Sequence, residues 1–307
     1  MANDLVIFDH DGGVDDYLSL LLLLTFPNID LRGVVVTPAD CYIEPAVGAT
    51  RKIIDLAGRA DVPVAQSTVR GLNPFPRRAR RDSFSINLFP LLNERDEVAT
   101  PLVDEPGQMW LAKALRAAAQ PTRLLVTGPL TTVQAALEQD PTLVRQVREI
   151  VWMGGALRVP GNVDQTEEGG QDGSAEWNVY WDPPAAAAVW ATGVPVVMCP
   201  LDLTNRVRMT DDFIRTLGRR RRYPFCDLAG QCYALVAHQS YYFWDVLTTA
   251  YVGCPEMFTV AEEHVRVVPG GPSQGRTEVD ASARSVRVLA DVDVDRFYDF
   301  VLSAWAR

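Results

Sequence analysis

Four carboxylates fall within eight residues of the stretch VIFDHDGGVDDYLSLLLLL, which begins at Val6: Asp9, Asp11, Asp15 and Asp16. Apolar segments flank them on both sides, so the acids sit between two pieces of chain that must be buried. Like charges held this close raise one another's pKa and cost free energy unless something neutralises them. A metal ion is the usual neutraliser, and oxygen donors suit a hard divalent cation. Such an ion lowers the pKa of a bound water, and a neighbouring carboxylate can then take its proton. The chemistry to look for is metal-assisted attack by water, with further ligands supplied from elsewhere in the chain.

The elements that must position these acids are legible in the pattern of apolar residues. Asp9 and Asp11 lie two apart at the end of the apolar run 5–9, and a strand's period of two predicts that they point to the same side. Gly12 and Gly13 allow a tight turn, and Asp15 and Asp16 then enter the first turn of a helix over 14–25, where the helix dipole favours a carboxylate. Strand-like runs recur at 31–37, 62–66, 122–128, 148–155 and 194–200, with helical patterns between them at 43–57, 106–119, 130–138 and 182–192. Several of the strands are continuously apolar, as buried parallel strands are. The alternation predicts one α/β domain over 1–307: a mainly parallel central sheet, helices on both faces, and sites at the carboxyl ends of its strands. From 210 the chain reads as helical, then as strands near 257–267 and 284–290 and a helix over 293–305. Two stretches break the rhythm: 67–104, with NPFPRRARRDSF, reads as a long irregular insertion loop, and 156–181 as a Gly-rich polar loop at the site.

Composition narrows the class. The chain is 48% hydrophobic and 22% charged with a net charge of −10, the balance of a soluble globular protein without the basic face that nucleic acid requires. No basic segment precedes the first apolar run, and the longest apolar run, 17–26, is too short to span a bilayer, so no leader and no membrane partner are expected. Five cysteines without CxxC spacing read as reduced thiols in a cytoplasm.

Three readings compete for the acidic cluster. A calcium-binding EF-hand loop fails, because Gly13 replaces its third ligand and Leu20 stands where the closing Glu belongs. FDHDG resembles the nucleophile strand of haloacid-dehalogenase-like phosphatases, but Gly13 replaces the required Thr and no Lys follows Lys113. DHDGGVDD resembles the D-x-D-x-G-x-D-D signature of the nucleoside hydrolases, calcium-binding N-ribohydrolases, and the resemblance continues along the chain. LLVTGPLTTV (124–133), VWMGGA (151–156), DGSAEWNVYWDPPAA (172–186), LDLTN (201–205) and YYFWDVLTTAY (241–251) occur in the family's order. DHDG, ADC at 39–41, and AEWN followed by YWDPPAA look most like the purine-preferring inosine–adenosine–guanosine branch.

The resemblance implies a Rossmann-like nucleoside hydrolase fold and a calcium-dependent cleavage of the N-glycosidic bond of ribonucleosides, purines preferred, giving free base and ribose. It implies calcium ligation by Asp11, Asp16, the Thr127 carbonyl and Asp245, with Asp11 as general base. Asp15, Asn162, Glu176 and Asn178 match ribose-binding positions, with Met153 lining the sugar pocket. Trp244 and Asp40 match residues that contact the base, and Trp177 an aromatic near the ribose. A homo-oligomer, a dimer above all, is expected. Asp9 is expected to support the turn. One departure stands out: Ala79 occupies the position of the second base-stacking indole, leaving Phe75 or Phe84 as substitutes. That gap keeps two alternatives open, a weakly catalytic riboside-binding relative and a hydrolase whose Arg-rich loop at 77–81 reads a charged riboside.

Overall fold

The computed structural model describes residues 3–166 and 168–307. Nine strands form one sheet: β1 (Asp4–His10), β2 (Ile29–Val36), β3 (Val64–Gln66), β4 (Thr122–Val126), β5 (Val147–Met153), β6 (Val196–Cys199), β7 (Phe258–Val267), β8 (Thr277–Val279) and β9 (Ser285–Val292). Their order is β3-β2-β1-β4-β5-β6-β9-β7-β8. Every pair from β3 to β9 is parallel, and β7 pairs antiparallel with both β9 and β8. The mainly parallel α/β fold expected from the sequence is the fold observed.

Alternate residues of the central strands feed two separate cores, which explains their unbroken apolarity. Val6 and Phe8 of β1 join one core with the helix Val14–Leu23, while Ile7 joins the other with Leu124 and Val126 of β4. Helices Gly107–Ala117, Thr131–Gln139 and Pro183–Ala191 cover that second face. The strand order reverses between β1 and β4, so the loops leaving these two strands diverge and open a crevice at their carboxyl ends. Asp11 follows β1 and Thr127 follows β4, which puts both at that crevice.

Three sequence expectations are corrected, and one strand was not foreseen. The segment 67–104 is not irregular throughout: it holds helices Arg77–Arg80 and Asp82–Asn87 and a 3₁₀ turn Pro90–Asn93. These are shorter than the window over which periodicity shows. The polar loop 156–181 ends in a helical turn, Trp177–Tyr180. The edge strand β8 had no apolar signal, being three residues long. Asp9 and Asp11 also do not share a side. β1 ends at His10, and Gly12 turns the chain at φ 82°, so alternation does not extend to Asp11.

Candidate active site

Asp11, Asp15, Asp16 and Asp245 converge on one cavity of about 410 Å³ at the β1/β4 crevice, together with Asp40, Thr127, Met153, Asn162, Glu176, Trp177, Asn178 and Trp244. All twelve residues singled out in the sequence therefore line a single cavity. Asp9 does not line it.

The turn after β1 is built to hold the acids in place. Gly12 has a positive φ, and a Cβ there would lie 2.6 Å from Cys41 Cβ. Gly12→Ala is expected to destabilise the protein by about 2–4 kcal/mol, from the left-handed backbone and the overpacking together. Urea unfolding of the variant measures this directly. Gly128 likewise lets Asp11 approach, since a Cβ on it would sit 2.7 Å from Asp11 Cβ. Asp16 Oδ2 accepts from Gly13 N at 2.8 Å, and its Oδ1 from the Thr127 hydroxyl at 2.5 Å. Asp15 is held from the far side of the cavity, accepting from Tyr241 Oη at 2.8 Å and from Asp245 N at 3.1 Å.

Burial raises the pKa of every acid in this group, and neighbouring carboxylates add to it at Asp11, Asp16 and Asp245. Asp16 is pushed up to about 7, while Asp11 and Asp245 stand well above the usual range. Asp11 is raised further by the carboxylates of Asp16, Asp40 and Asp15, and Asp245 by those of Asp15, Asp16 and Asp11. Among the described residues no three His, Cys, Asp or Glu side chains are already gathered as a finished metal centre.

The donor set nevertheless fits a hard divalent cation. Asp11 Oδ2 is buried with no hydrogen-bond partner, an acceptor a cation would satisfy. The Thr127 carbonyl accepts from Asn178 Nδ2 at 2.9 Å, which leaves its second lone pair available. Oxygen-only donors favour Ca²⁺ or Mg²⁺ over softer ions.

Around the acids stands a layer suited to a polar ring. Glu176 accepts from Asn178 N at 3.0 Å and from Gly155 N at 2.9 Å, and burial raises its pKa to about 7. Asn178 also donates to the Met153 carbonyl at 3.1 Å, fixing its amide between the ends of β4 and β5. Asn162 is exposed and accepts from Trp177 N at 3.0 Å. Met153 is buried, and its sulfur takes a 3.4 Å contact from Asn178.

Aromatic rings and basic groups complete the mouth. Trp244 packs edge-on to Tyr241 at 4.7 Å, and its buried indole N–H lacks a partner. Ala79 does line the cavity but offers only a methyl group. Phe75 lines the cavity and stacks on Trp177, whereas Phe84 packs on Tyr42 and is half exposed. Arg78 and Arg81 reach the cavity rim, but Arg80 lies over the Tyr42 ring and donates to the Cys41 carbonyl.

Two features escaped sequence reasoning. Tyr241 belongs to the YYFWD motif, yet nothing in its spacing shows that it holds Asp15. Asp9 begins a buried chain of hydrogen bonds: the Thr37 hydroxyl meets Asp9 at 2.7 Å and the Thr132 hydroxyl at 2.6 Å, and the Thr132 and Ser67 hydroxyls meet at 2.8 Å.

Comparison with known proteins adds to this geometry. The family profile described as inosine-uridine preferring nucleoside hydrolase matches residues 6–299. The non-specific ribonucleoside hydrolase RihC of Klebsiella pneumoniae is 30% identical over 311 residues, covering 95% of each chain. The pyrimidine-specific ribonucleoside hydrolase RihA of Citrobacter koseri is 28% identical over 319 residues, covering 96% of each. The solved structure of an inosine-uridine preferring nucleoside hydrolase from Bacillus anthracis superposes with a TM-score of 0.95 at 43% identity, covering 99% of each chain.

Proposed function

Because the chain belongs to the inosine-uridine preferring nucleoside hydrolase family, we propose that its cavity carries out calcium-dependent hydrolysis of ribonucleosides, with Asp11 as general base. The observation that carries this reading is the convergence of four buried carboxylates and the Thr127 carbonyl on one cavity with an aromatic wall. Asp11, Asp16, Asp245 and the Thr127 carbonyl are the residues that would hold the ion. Bound there, calcium supplies an acidified water and an anchor for ribose hydroxyls.

The chain's own groups divide the remaining work. Asp11, with its unpartnered Oδ2, takes a proton from the attacking water. Asp15, Glu176, Asn178 and Asn162 bind the ribose, and the carboxylates among them stabilise the positive charge that develops as the N-glycosidic bond breaks. Trp244 and Asp40 face the leaving base. A base that gains a proton gains cation–π attraction to the indole, which favours its departure.

Purine ribonucleosides are the preferred substrates in this reading, because the aromatic wall offers area to a two-ring base. A broader reading, inosine and uridine alike, is favoured by the 43% identity to the Bacillus anthracis enzyme. Ribose release from inosine, adenosine, guanosine, uridine and cytidine, with Ca²⁺ and with EDTA, tests both. Calcium-dependent release is expected, fastest with a purine. Comparable rates on uridine support the broader reading, and no release from any nucleoside overturns the function.

No described helix is long and apolar enough to cross a membrane, and all five cysteines are buried and unpaired. These observations support a cytoplasmic enzyme. A homodimer completes the proposal, checked by light scattering of the eluted protein.

A further inference from the structure

The insertion and the site loop are fastened to one another at the point where both meet the cavity. Gly71 lies against the Trp181 indole so closely that a Cβ on it would sit 2.3 Å from the ring. Leu72 N and Asn73 N both donate to the Trp181 carbonyl, at 2.8 and 3.0 Å. Asn73 Nδ2 donates to the Tyr180 carbonyl at 2.6 Å. Two residues beyond this clamp, Phe75 stacks on Trp177 with ring centres 4.7 Å apart and planes at 28°. Tyr180 packs edge-on against the same indole at 5.5 Å, so Trp177 touches both rings.

From this arrangement we infer that Phe75 is a substrate-contacting, specificity-determining residue, and that Asn73 is the positioning residue that delivers it. The inference rests on the hydrolase reading above. Phe75 and Trp177 line the same cavity as Trp244, while Ala79 supplies no ring. The aromatic wall facing the base therefore comes from Phe75, earlier in the insertion than the missing indole. Its place does not depend on the Arg-rich helix that follows, because the backbone bonds of residues 72 and 73 tie it to the turn carrying Glu176 and Asn178. Offset aromatic stacking is a modest, area-dependent attraction, so a two-ring base gains more from this wall than a one-ring base.

The test compares Phe75→Ala, Asn73→Asp and the double variant with the unaltered enzyme, measuring kcat and KM on inosine and uridine with saturating Ca²⁺. Asn73→Asp keeps the shape of the side chain and removes its donor. Phe75→Ala is expected to raise KM for inosine about 10-fold and for uridine less, with kcat changed less than about 3-fold. Asn73→Asp should raise KM in the same direction. If Asn73 acts through Phe75, the double variant will resemble Phe75→Ala alone; independent structural damage would instead multiply the two effects. Thermal unfolding of each purified variant reports whether the fold persists. Unchanged KM in Phe75→Ala overturns the role of Phe75, and a fully multiplicative double variant overturns that of Asn73. An unaltered enzyme that releases no ribose from any nucleoside removes the hydrolase reading itself, and this inference with it.

Discussion

Asp11→Ala is expected to lower calcium-dependent ribose release from inosine by about 10⁴-fold, the upper end of what a positioned general base contributes. The upper end applies because the same carboxylate both takes the proton and helps to hold the ion. Asp11 is buried, lies beside Asp16, and keeps one oxygen without a partner. Removing it leaves a larger, less negative cavity in which neither task has a substitute, since Asp9 is turned away into its bond with Thr37. Asp11→Asn separates the two roles. Its amide oxygen remains a weak ligand but cannot accept the proton, so ribose release should stay low while calcium binding is partly kept. Steady-state kinetics and calcorimetric titration of Ca²⁺ into each variant measure the two effects. An Asp11→Asn variant retaining more than about a tenth of the activity would remove Asp11 from the general-base role.

The second large effect is on stability. Protein stripped of calcium with EDTA is expected to lose stability as pH rises from about 5 to about 8, and calcium is expected to restore it. Burial raises Asp16 and Glu176 to about 7 and Asp9 to about 8 in the folded chain. In the unfolded chain such groups titrate near 4. Between these values the folded state binds more protons than the unfolded state, so stability falls with rising pH. One group opposes this: burial lowers His10 to about 3, so its contribution is lost as pH falls below about 6.5, but three raised acids outweigh it. Glu149, pushed up by burial but held lower overall by Arg123 and Arg287, contributes stability that is lost as pH drops below the ordinary carboxylate range. Maximum stability of the stripped protein is therefore expected near pH 5.

A net change of a few kcal/mol corresponds to a fall in Tm of about 5–10 °C between pH 5 and pH 8. Calcium at about 100 times its Kd adds roughly 2.7 kcal/mol, with the larger gain at pH 8, where the protons it replaces are already lost. Thermal unfolding across this range, with Ca²⁺ and with EDTA, decides the matter. A Tm that rises steadily from pH 5 to pH 8 in EDTA would show that the acids are not buried as the cavity requires.

These two predictions share one physical origin. An acidic cluster at a strand end is poor for stability and useful for chemistry, because only a proton or a cation relieves it. The structure meets part of that cost locally, through Gly13 N, the Thr127 hydroxyl, Tyr241 and the backbone of Asp245. None of these donors carries a full positive charge.

How much of this was legible in the sequence depended on how far apart the interacting residues lie. The α/β alternation, the parallel sheet and the terminal helix come from periodicities of two and 3.6 within short windows, and β1, β2 and β4 through β6 follow them. Asp9, Asp11, Asp15 and Asp16 announced themselves because four like charges between two apolar runs need a local explanation. Their partners at Thr127, Glu176, Asn178 and Asp245 carry no such signal alone, and only the family's motif order pointed to them. Tertiary structure decided the rest. The reversal of strand order between β1 and β4 brings Asp11 to Thr127, and Tyr241 reaches Asp15 across 226 positions of sequence. Phe75 meets Trp177 because backbone groups at 72, 73 and 181 bind one another. Backbone donors and acceptors are the same in every residue, so no choice of side chain records which of them will pair. Composition and spacing therefore determined what chemistry this chain carries, while the wall that faces its substrate was set by contacts that exist only once it is folded.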